Sequence, residues 1–327
     1  MQYSINTSFG SANTQALQIC KEISALEPPI GEDLVFNFSS YKENNPFSNL
    51  IIINTLNKFK KAYPEASLRC APKESGGYLS HIGFYKACGI PLGKEPGEAR
   101  ASSNYVPITE VSLIGTDFYR SIDTVATQLA ETLNFDKGLQ SLLSYIFIET
   151  IRNVYEHAST EKAVVAAQKW PAQNLVEIAI SDGGCGVTES LGKFFSTDAA
   201  NLLRLACKPG VSARSNYRYL EKDDPWRNSG YGLYIMKELA LAYHGSFMLC
   251  SGSHAIRYST DELGLLAEEI FDTSYRGTAI GIRFKTNTDN DFNSTRERIV
   301  SEGQLRAAQM KGAIRSASRS SGGRYRI

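Results

Sequence analysis

The stretch Glu149-Thr-Ile-Arg-Asn153-Val-Tyr-Glu-His157 places acid, amide and imidazole groups among apolar neighbours near the middle of the chain. On a helix, Glu149, Asn153 and His157 are spaced at i, i+4 and i+8 and project from nearly one face. Because such groups are costly to bury without partners, the stretch indicates either a polar stripe in solvent or one wall of a polar pocket. In a pocket, a magnesium ion would satisfy the amide oxygen of Asn153, and Glu149 could orient or deprotonate a water or hydroxyl.

Two glycine-containing segments further along the chain can complete such a pocket. In Ser181-Asp182-Gly183-Gly184-Cys185-Gly186, an apolar strand ends at Asp182, and the glycines let a ligand lie against bare backbone. The carboxylate of Asp182 only accepts hydrogen bonds and suits a purine exocyclic amine; the alternative is a tight turn in which it caps its own backbone. The segment Gly230-Tyr-Gly-Leu233 is either a phosphate-binding helix N-terminus or an ordinary helix start.

In this order and spacing, these segments resemble the sequence boxes of the GHKL superfamily, the ATP-binding fold shared by DNA gyrase, MutL, histidine kinases and anti-sigma-factor kinases. Glu149-x3-Asn153-x3-His157 is similar to the N box, in the form found in anti-sigma-factor serine kinases. Asp182-x-Gly184-x-Gly186 is similar to the first glycine box and Gly230-x-Gly232-Leu233 to the second, while Gly277-Thr278 matches the final Gly-Thr pair. The resemblance covers about residues 117–286.

The resemblance implies an ATP site that uses magnesium. Asn153 would bind Mg2+, Glu149 would be the general base where there is hydrolysis, and Asp182 would bind the adenine amine. Gly184 and Gly186 would line the base, Gly230 and Gly232 would line the phosphates, and Thr278 would help position a water at the adenine. The resemblance also assigns His157 and Leu233 to the nucleotide site. Candidates for the lid cation at the terminal phosphate are Lys208, Arg214 and Arg218.

Three functions stay open at this point. The first is a slow Mg-ATP-dependent ATPase whose lid closure signals to the N-terminal module or to a partner. The second is a protein serine/threonine kinase of the anti-sigma-factor type, and the third is a nucleotide-gated binding module with negligible turnover. Before Glu149 the chain shows no dimerisation helix with a phosphoacceptor histidine, which argues against autophosphorylation on histidine.

The length of 327 residues predicts a two-domain α+β protein, since one core rarely grows past roughly 250 residues. Residues 1–115 are expected to form a small βαβα domain that looks like a STAS domain, the protein-binding module of anti-sigma-factor antagonists. For residues 116–287 the GHKL resemblance implies a two-layer α/β sandwich of the Bergerat type with a mixed sheet. A lid is expected at about 187–229, where few strand or long-helix signals occur. Residues 288–327 are expected to be a basic, flexible tail.

Hydrophobic periodicity and turn residues predict the individual elements. The predicted strands are 33–38, 67–70, 163–167, 175–181, 246–251, 255–259 and 277–284, and the predicted helices are one from Asn45-Pro46 to about 59, one at 78–84, one at 117–157 with a break near 134–136, and one at 232–244.

Composition limits the range of partners. Lys plus Arg is 35 and Asp plus Glu is 34, so net charge alone favours neither nucleic acid nor membrane, although the basic tail could touch nucleic acid or simply be solvated. The six cysteines show no CxxC spacing, which argues against a structural zinc site and fits a reducing cytosol. The N-terminus lacks a signal-peptide pattern, and no stretch offers ~18 apolar residues, so a cytoplasmic location is expected. The sequence leaves homodimerisation open.

Overall fold

A computed structural model of the chain describes residues 2–4, 12–27, 33–38, 41, 45–65, 67–71, 77–100, 102–114, 118–157, 160–213, 229–260 and 264–318. Within these ranges the protein is α+β. The strands are β1 (Gln2–Ser4), β2 (Asp33–Asn37), β3 (Ser67–Ala71), β4 (Tyr105–Ser112), β5 (Lys162–Trp170), β6 (Leu175–Asp182), β7 (Ser246–Thr260) and β8 (Leu266–Lys285). The helices are α1 (Ala12–Ser24), α2 (Pro46–Ala62), α3 (Tyr78–His81), α4 (Phe84–Ala87), α5 (Phe118–Thr132), α6 (Lys137–His157), α7 (Val187–Gly192), α8 (Ala199–Ala206), α9 (Gly232–Ala242) and α10 (Phe292–Ala308).

The larger sheet, called here the large sheet, has the order β4-β5-β6-β8-β7, and each neighbouring pair is antiparallel. The prediction of a mixed sheet is therefore wrong for this sheet. Short connections, such as the 3-10 turn Pro171–Gln173 between β5 and β6, join strands that run in opposite directions. The strands predicted at 246–251 and 255–259 form one strand, β7, which pairs with β8 and shifts register at Gly252. Gly252 has a φ of +67°, a conformation that glycine adopts without strain.

The N-terminal part of the chain forms the small sheet, in which β1, β2 and β3 are parallel neighbours. The predictions of β2, α2 and β3 are confirmed, whereas β1 and α1 were not predicted. Helix α2 begins where the sequence indicates, because the side chain of Asn45 accepts the N–H of Ser48 and Pro46 is its first residue. The helix predicted at 78–84 is divided into α3 and α4 at Gly83, whose φ is +84°.

Helix α2 lies against one face of the large sheet, so that the N-terminal segment and this sheet share a core. A Cβ added to Gly281 on β8 would lie 2.7 Å from the ring of Phe47, which shows how closely the helix approaches the strand. Glu177 on β6 is only 1% exposed, and it accepts the N–H of Phe47 at 3.0 Å and Nε of Arg283 at 2.9 Å. Strand β4, which the predicted division assigns to residues 1–115, is an edge strand of the large sheet.

The opposite face of the large sheet is covered by α6 and α9, with α5 and α10 packed beside them. The predicted break in the long helical region is confirmed: α5 and α6 separate around Asn134, which has a φ of 46°. Within the tail expected to be flexible, residues 292–308 form α10, whose Asp291 caps the N–H of Ser294 at 2.8 Å and which buries Phe292 and Ile299. Residues 319–327 of the tail lie outside the described part of the chain. Few apolar residues on a highly charged helix give a weak periodic signal, which explains this difference.

The region predicted as a lid contains packed elements. Helices α7 and α8 lie within it, and α8 buries Leu202 and Leu203 in the core that the large sheet forms with α6 and α9. Residues 214–228 of this region lie outside the described part of the chain. Among the described helices, none combines the length and the apolar character needed to cross a bilayer.

Candidate functional site

A cleft lies between α6, the end of β6, the α7–α8 segment and the N-terminus of α9. Its empty space, including the part open to solvent, is about 770 Å³. The cleft brings together predicted site residues from distant parts of the sequence. These lining residues are Asn153, Asp182, Gly230, Gly232, Leu233 and Thr278.

Asn153 provides a polar group on the α6 side of the cleft. Its Nδ2 atom is buried and has no hydrogen-bond partner among the described residues. A Cβ added to Gly232 would lie 3.4 Å from this atom, so the amide faces the start of α9. The oxygen and nitrogen of an Asn side chain exchange places when the amide is flipped, so either atom can take this position. Because an unpaired buried polar atom costs free energy, the amide of Asn153 is suited to a ligand.

Glu149 also lies close to the start of α9, one helical turn before Asn153, and it is part of a buried ion pair. Its Oε2 accepts a hydrogen bond from Nη2 of Arg152 at 2.9 Å, and these side chains are 1% and 2% exposed. A Cβ added to Gly232 would lie 2.8 Å from Oε2, yet Glu149 is not among the residues that line the cleft. Arg152 was not predicted as a site residue. The i, i+3 spacing of Glu149 and Arg152 on α6 was the signal that could have indicated this pair.

For Asp182 the sequence left open a tight turn and a place in a pocket, and the structure shows both. Its Oδ1 accepts the N–H of Gly184 at 2.8 Å, as expected of a tight turn, and the side chain also lines the cleft. Burial raises the pKa of Asp182 to about 7, while the N–H groups of Gly184 and Thr278 and the charge of Lys58 act in the opposite direction. The carboxyl group therefore changes its ionisation near neutral pH.

Among the glycines after Asp182, Gly186 serves packing in this structure. Gly184 and Gly186, expected to lie along a bound base, do not line the cleft. A Cβ on Gly186 would lie 2.3 Å from Oγ of Ser251 and 2.8 Å from the carbonyl of Gly277, so this position admits only glycine. Gly277 has a φ of +102°, and a Cβ there would lie 2.2 Å from the carbonyl of Asp182. These close contacts hold the turn that bears Asp182 against β8.

The glycine turn before α9 positions a helix N-terminus at the cleft. Gly230 has a φ of +69°, and its carbonyl accepts the N–H of Gly210 at 3.0 Å. Helix α9 then begins at Gly232, and the side chain of its N-cap residue, Tyr231, makes no capping hydrogen bond. Since the first N–H groups of a helix have no partner within it, this end of the cleft favours an anionic group.

Lys208, one of the three predicted lid cations, does not line the cleft. It is exposed and lines a separate depression beside Arg204 and Lys237. Lys208 follows the end of α8 at Ala206, on the surface of the protein. Arg214 lies outside the described residues. His157 ends α6, but its side chain also lies outside the described part.

The sequence reasoning missed the apolar walls of the cleft. Some of them lie on α6, β6 and β8, one or two residues from a predicted polar residue, and the others lie on α7. Apolar lining of this kind is typical of small-molecule sites. These walls include Val154, Ile180, Val187, Leu191 and Ile280.

A comparison with protein-family models gives no match to this chain, and a comparison with curated proteins likewise gives none.

Proposed function

We propose that this chain is an Mg-ATP-binding protein of the GHKL type with slow ATPase activity. The observation that supports the proposal most is the convergence of Asn153, Asp182 and the N-terminus of α9 on one cleft. Each feature alone has an ordinary structural explanation. Their common position around an apolar cavity is what a ligand with a polar base and an anionic end requires.

The cleft offers different chemistry at its ends. At one end, the carboxylate of Asp182 and the hydroxyl of Thr278 would recognise the adenine, whose ring would lie between apolar side chains such as Ile180 and Val187. At the other end, the backbone around Gly232 and the α9 dipole would bind the phosphates. Apolar walls that carry only a few polar groups suit an adenine nucleotide better than a sugar or a fully charged ligand.

Magnesium fits these residues only as an ion shared with the nucleotide. Within the described residues, no group of three or more His, Cys, Asp and Glu side chains could hold a metal ion. Mg2+ commonly takes one or two protein oxygens and completes its shell with phosphate oxygens and waters. The amide of Asn153 would supply such an oxygen. Once bound, the ion would neutralise charge on the phosphates.

A nucleotide-gated binding module with negligible turnover is the second candidate. It is favoured by the ion pair of Glu149 with Arg152, because a guanidinium beside a carboxylate stabilises its charged form and occupies an oxygen that a base would use. In the ATPase, Glu149 would have to orient a water from this buried position.

The N-terminal segment is proposed as a STAS-like module for a protein partner in the cytoplasm. The small sheet with its parallel strands and α1 and α2 supports this proposal at the level of architecture.

Replacing Asp182 with Asn is expected to weaken ATP binding by about 1–3 kcal/mol, because the amide presents an N–H₂ group to the adenine amine. This is roughly a 5- to 150-fold rise in Kd, measurable by isothermal titration calorimetry with Mg2+ above neutral pH. Wild-type protein should bind ATP in preference to GTP, and the variant should lose this preference. Equal affinity of variant and wild type for ATP would remove Asp182 from the base site.

Asp182→Asn should raise the stability of the folded protein, although it weakens ATP binding. The pKa of Asp182 is raised from 3.8 to about 7, so the folded state holds the proton more tightly than the unfolded state. The resulting stabilisation of the folded state is fully present below the pKa of the unfolded state, 3.8, and is lost as pH rises through about 7. We therefore expect Asp182→Asn to unfold at a higher temperature than wild type in alkaline buffer, with a smaller difference in acid.

A further inference from the structure

Side chains of α2 reach the turn that bears Asp182, from the face of the large sheet opposite the α6 and α9 layer. Nδ2 of Asn54 donates hydrogen bonds to the carbonyl of Asp182 and to the carbonyl of Arg276, each at 3.2 Å. Nζ of Lys58 also donates to the carbonyl of Arg276. Asn54 and Lys58 are four residues apart, on one face of the helix. This face connects the end of β6 to β8.

These contacts act on the backbone that shapes the base end of the cleft. Thr278 follows Arg276 by two residues, lines the cleft, and directs its backbone N–H to the carboxyl group of Asp182. A shift of the Arg276 carbonyl would therefore move both polar groups expected at the adenine. The fit is close, because a Cβ added to Gly183 would lie 3.3 Å from Oδ1 of Asn54.

Lys58 adds an electrostatic link to this turn. Its charge lowers the pKa of Asp182 against the larger effect of burial. The pKa of Lys58 is itself lowered to about 8, first by burial and then by Arg276. Among the described residues, Lys61 on α2, Cys20 on α1 and Tyr275 on β8 interact electrostatically with a member of the pair, and Glu189 on α7 lines the same depression as Lys58.

We propose that Asn54 and Lys58 are positioning residues that hold the Asp182 turn in the shape that recognises a nucleotide base, so that the N-terminal segment sets base affinity. The inference rests on the proposed function. Neither residue lines the cleft, so each acts through Asp182 and Thr278. A protein bound to the N-terminal segment could change nucleotide affinity through the same contacts, and nucleotide would change the affinity for that protein equally.

The test compares Asn54→Ala and Lys58→Met with matched variants on the same helix. Asn57→Ala is the control for Asn54, because Asn57 donates to the carbonyl of Ala87 at 2.8 Å, away from Asp182. Lys60→Met is the control for Lys58, because Lys60 is exposed. Each full-length variant is titrated with Mg-ATP and with tripolyphosphate, which has the phosphates but no base.

Asn54→Ala is expected to lower ATP affinity roughly fivefold and to leave tripolyphosphate affinity within about twofold of wild type. Asn57→Ala should bind both ligands as wild type does. Equal losses for ATP and tripolyphosphate, or an unchanged ATP affinity, would overturn the role of Asn54. Wild-type protein that binds no ATP would instead refute the proposed function, so the two failures are distinguishable.

Lys58→Met allows a measurement that would not change if Lys58 had a purely structural role, namely the pH dependence of ATP affinity. The ionised carboxylate of Asp182 is the better acceptor for the adenine amine, so ATP affinity should rise as pH increases through its pKa. Without Lys58 this pKa is higher, and the midpoint of the rise should move to higher pH, measured from about pH 6 to about pH 9. The Lys60→Met midpoint should equal that of wild type. A Lys58→Met midpoint at the wild-type pH would overturn the proposal, even if Asn54→Ala fails to fold.

Discussion

Replacing Arg152 with Met is expected to lower the free energy of unfolding by about 3–5 kcal/mol, because it removes one member of a buried ion pair. The substitution leaves the carboxylate of Glu149, 1% exposed, without the guanidinium that lies 2.9 Å from it. Arg152 also lowers the pKa of Asp123, which burial raises, so a second carboxyl group loses a favourable charge. Urea unfolding at neutral pH, followed by circular dichroism, measures the change.

Arg298→Met is the matched control for Arg152→Met. Arg298 donates to Glu302 at 2.9 Å within α10, but these side chains are 58% and 41% exposed. An exposed pair of this kind contributes about 0–1 kcal/mol, so the control should differ little from wild type. The double variant Glu149→Gln, Arg152→Met should recover part of the loss, because it no longer buries a charge. If Arg152→Met costs no more than Arg298→Met, the burial of this pair has little energetic weight.

Local signals explain the parts of the fold that the sequence predicted. The start of α2 was readable because Asn45 and Pro46 are a cap and a first-turn residue, and their effect is decided within one helical turn. The separation of α5 from α6 near Asn134 was equally local. The turn between β5 and β6 was indicated by Pro171 and Asn174, whose φ is 47°.

The elements that were missed depend on distant partners. Strand β4 contains Pro107, which weakens a strand signal, and its edge position in the large sheet explains why the proline is tolerated. The antiparallel order of the large sheet could not be read from strand positions alone. The single strand β7 looked like two because Gly252 interrupts its pattern, and only its pairing with β8 along the whole length makes it continuous.

In the candidate site too, the sequence predicted the features that local signals determine and missed those that depend on residues far away along the chain. The spacing of Asn153 within its helix and the position of Asp182 at a strand end were sufficient to predict that both contribute polar groups. The sequence could not tell whether a glycine faces a ligand or a neighbouring strand, and Gly186 faces Ser251 and Gly277. Nor could it predict the contact of Asn54 with Asp182, which lies 128 positions away along the chain.

Replacing Glu149 with Gln is expected to lower the rate of ATP hydrolysis by roughly 10²–10⁴, if this carboxylate is the general base of the proposed ATPase. The amide keeps the shape and can still accept a hydrogen bond from Arg152, but it cannot take a proton from water. ATP affinity should therefore stay close to that of wild type. Phosphate release at saturating Mg-ATP measures the rate, and calorimetric titration measures the affinity.

The control for this experiment is Glu189→Gln, which changes an exposed glutamate of α7 that does not line the cleft. The control should hydrolyse ATP at the wild-type rate. A Glu149→Gln rate equal to the control, with ATP still bound, would mean that Glu149 serves only the ion pair with Arg152. Binding without dependence of turnover on this carboxylate would favour the nucleotide-gated module, in which the closed shape of the cleft, rather than the loss of the terminal phosphate, transmits the signal to a partner.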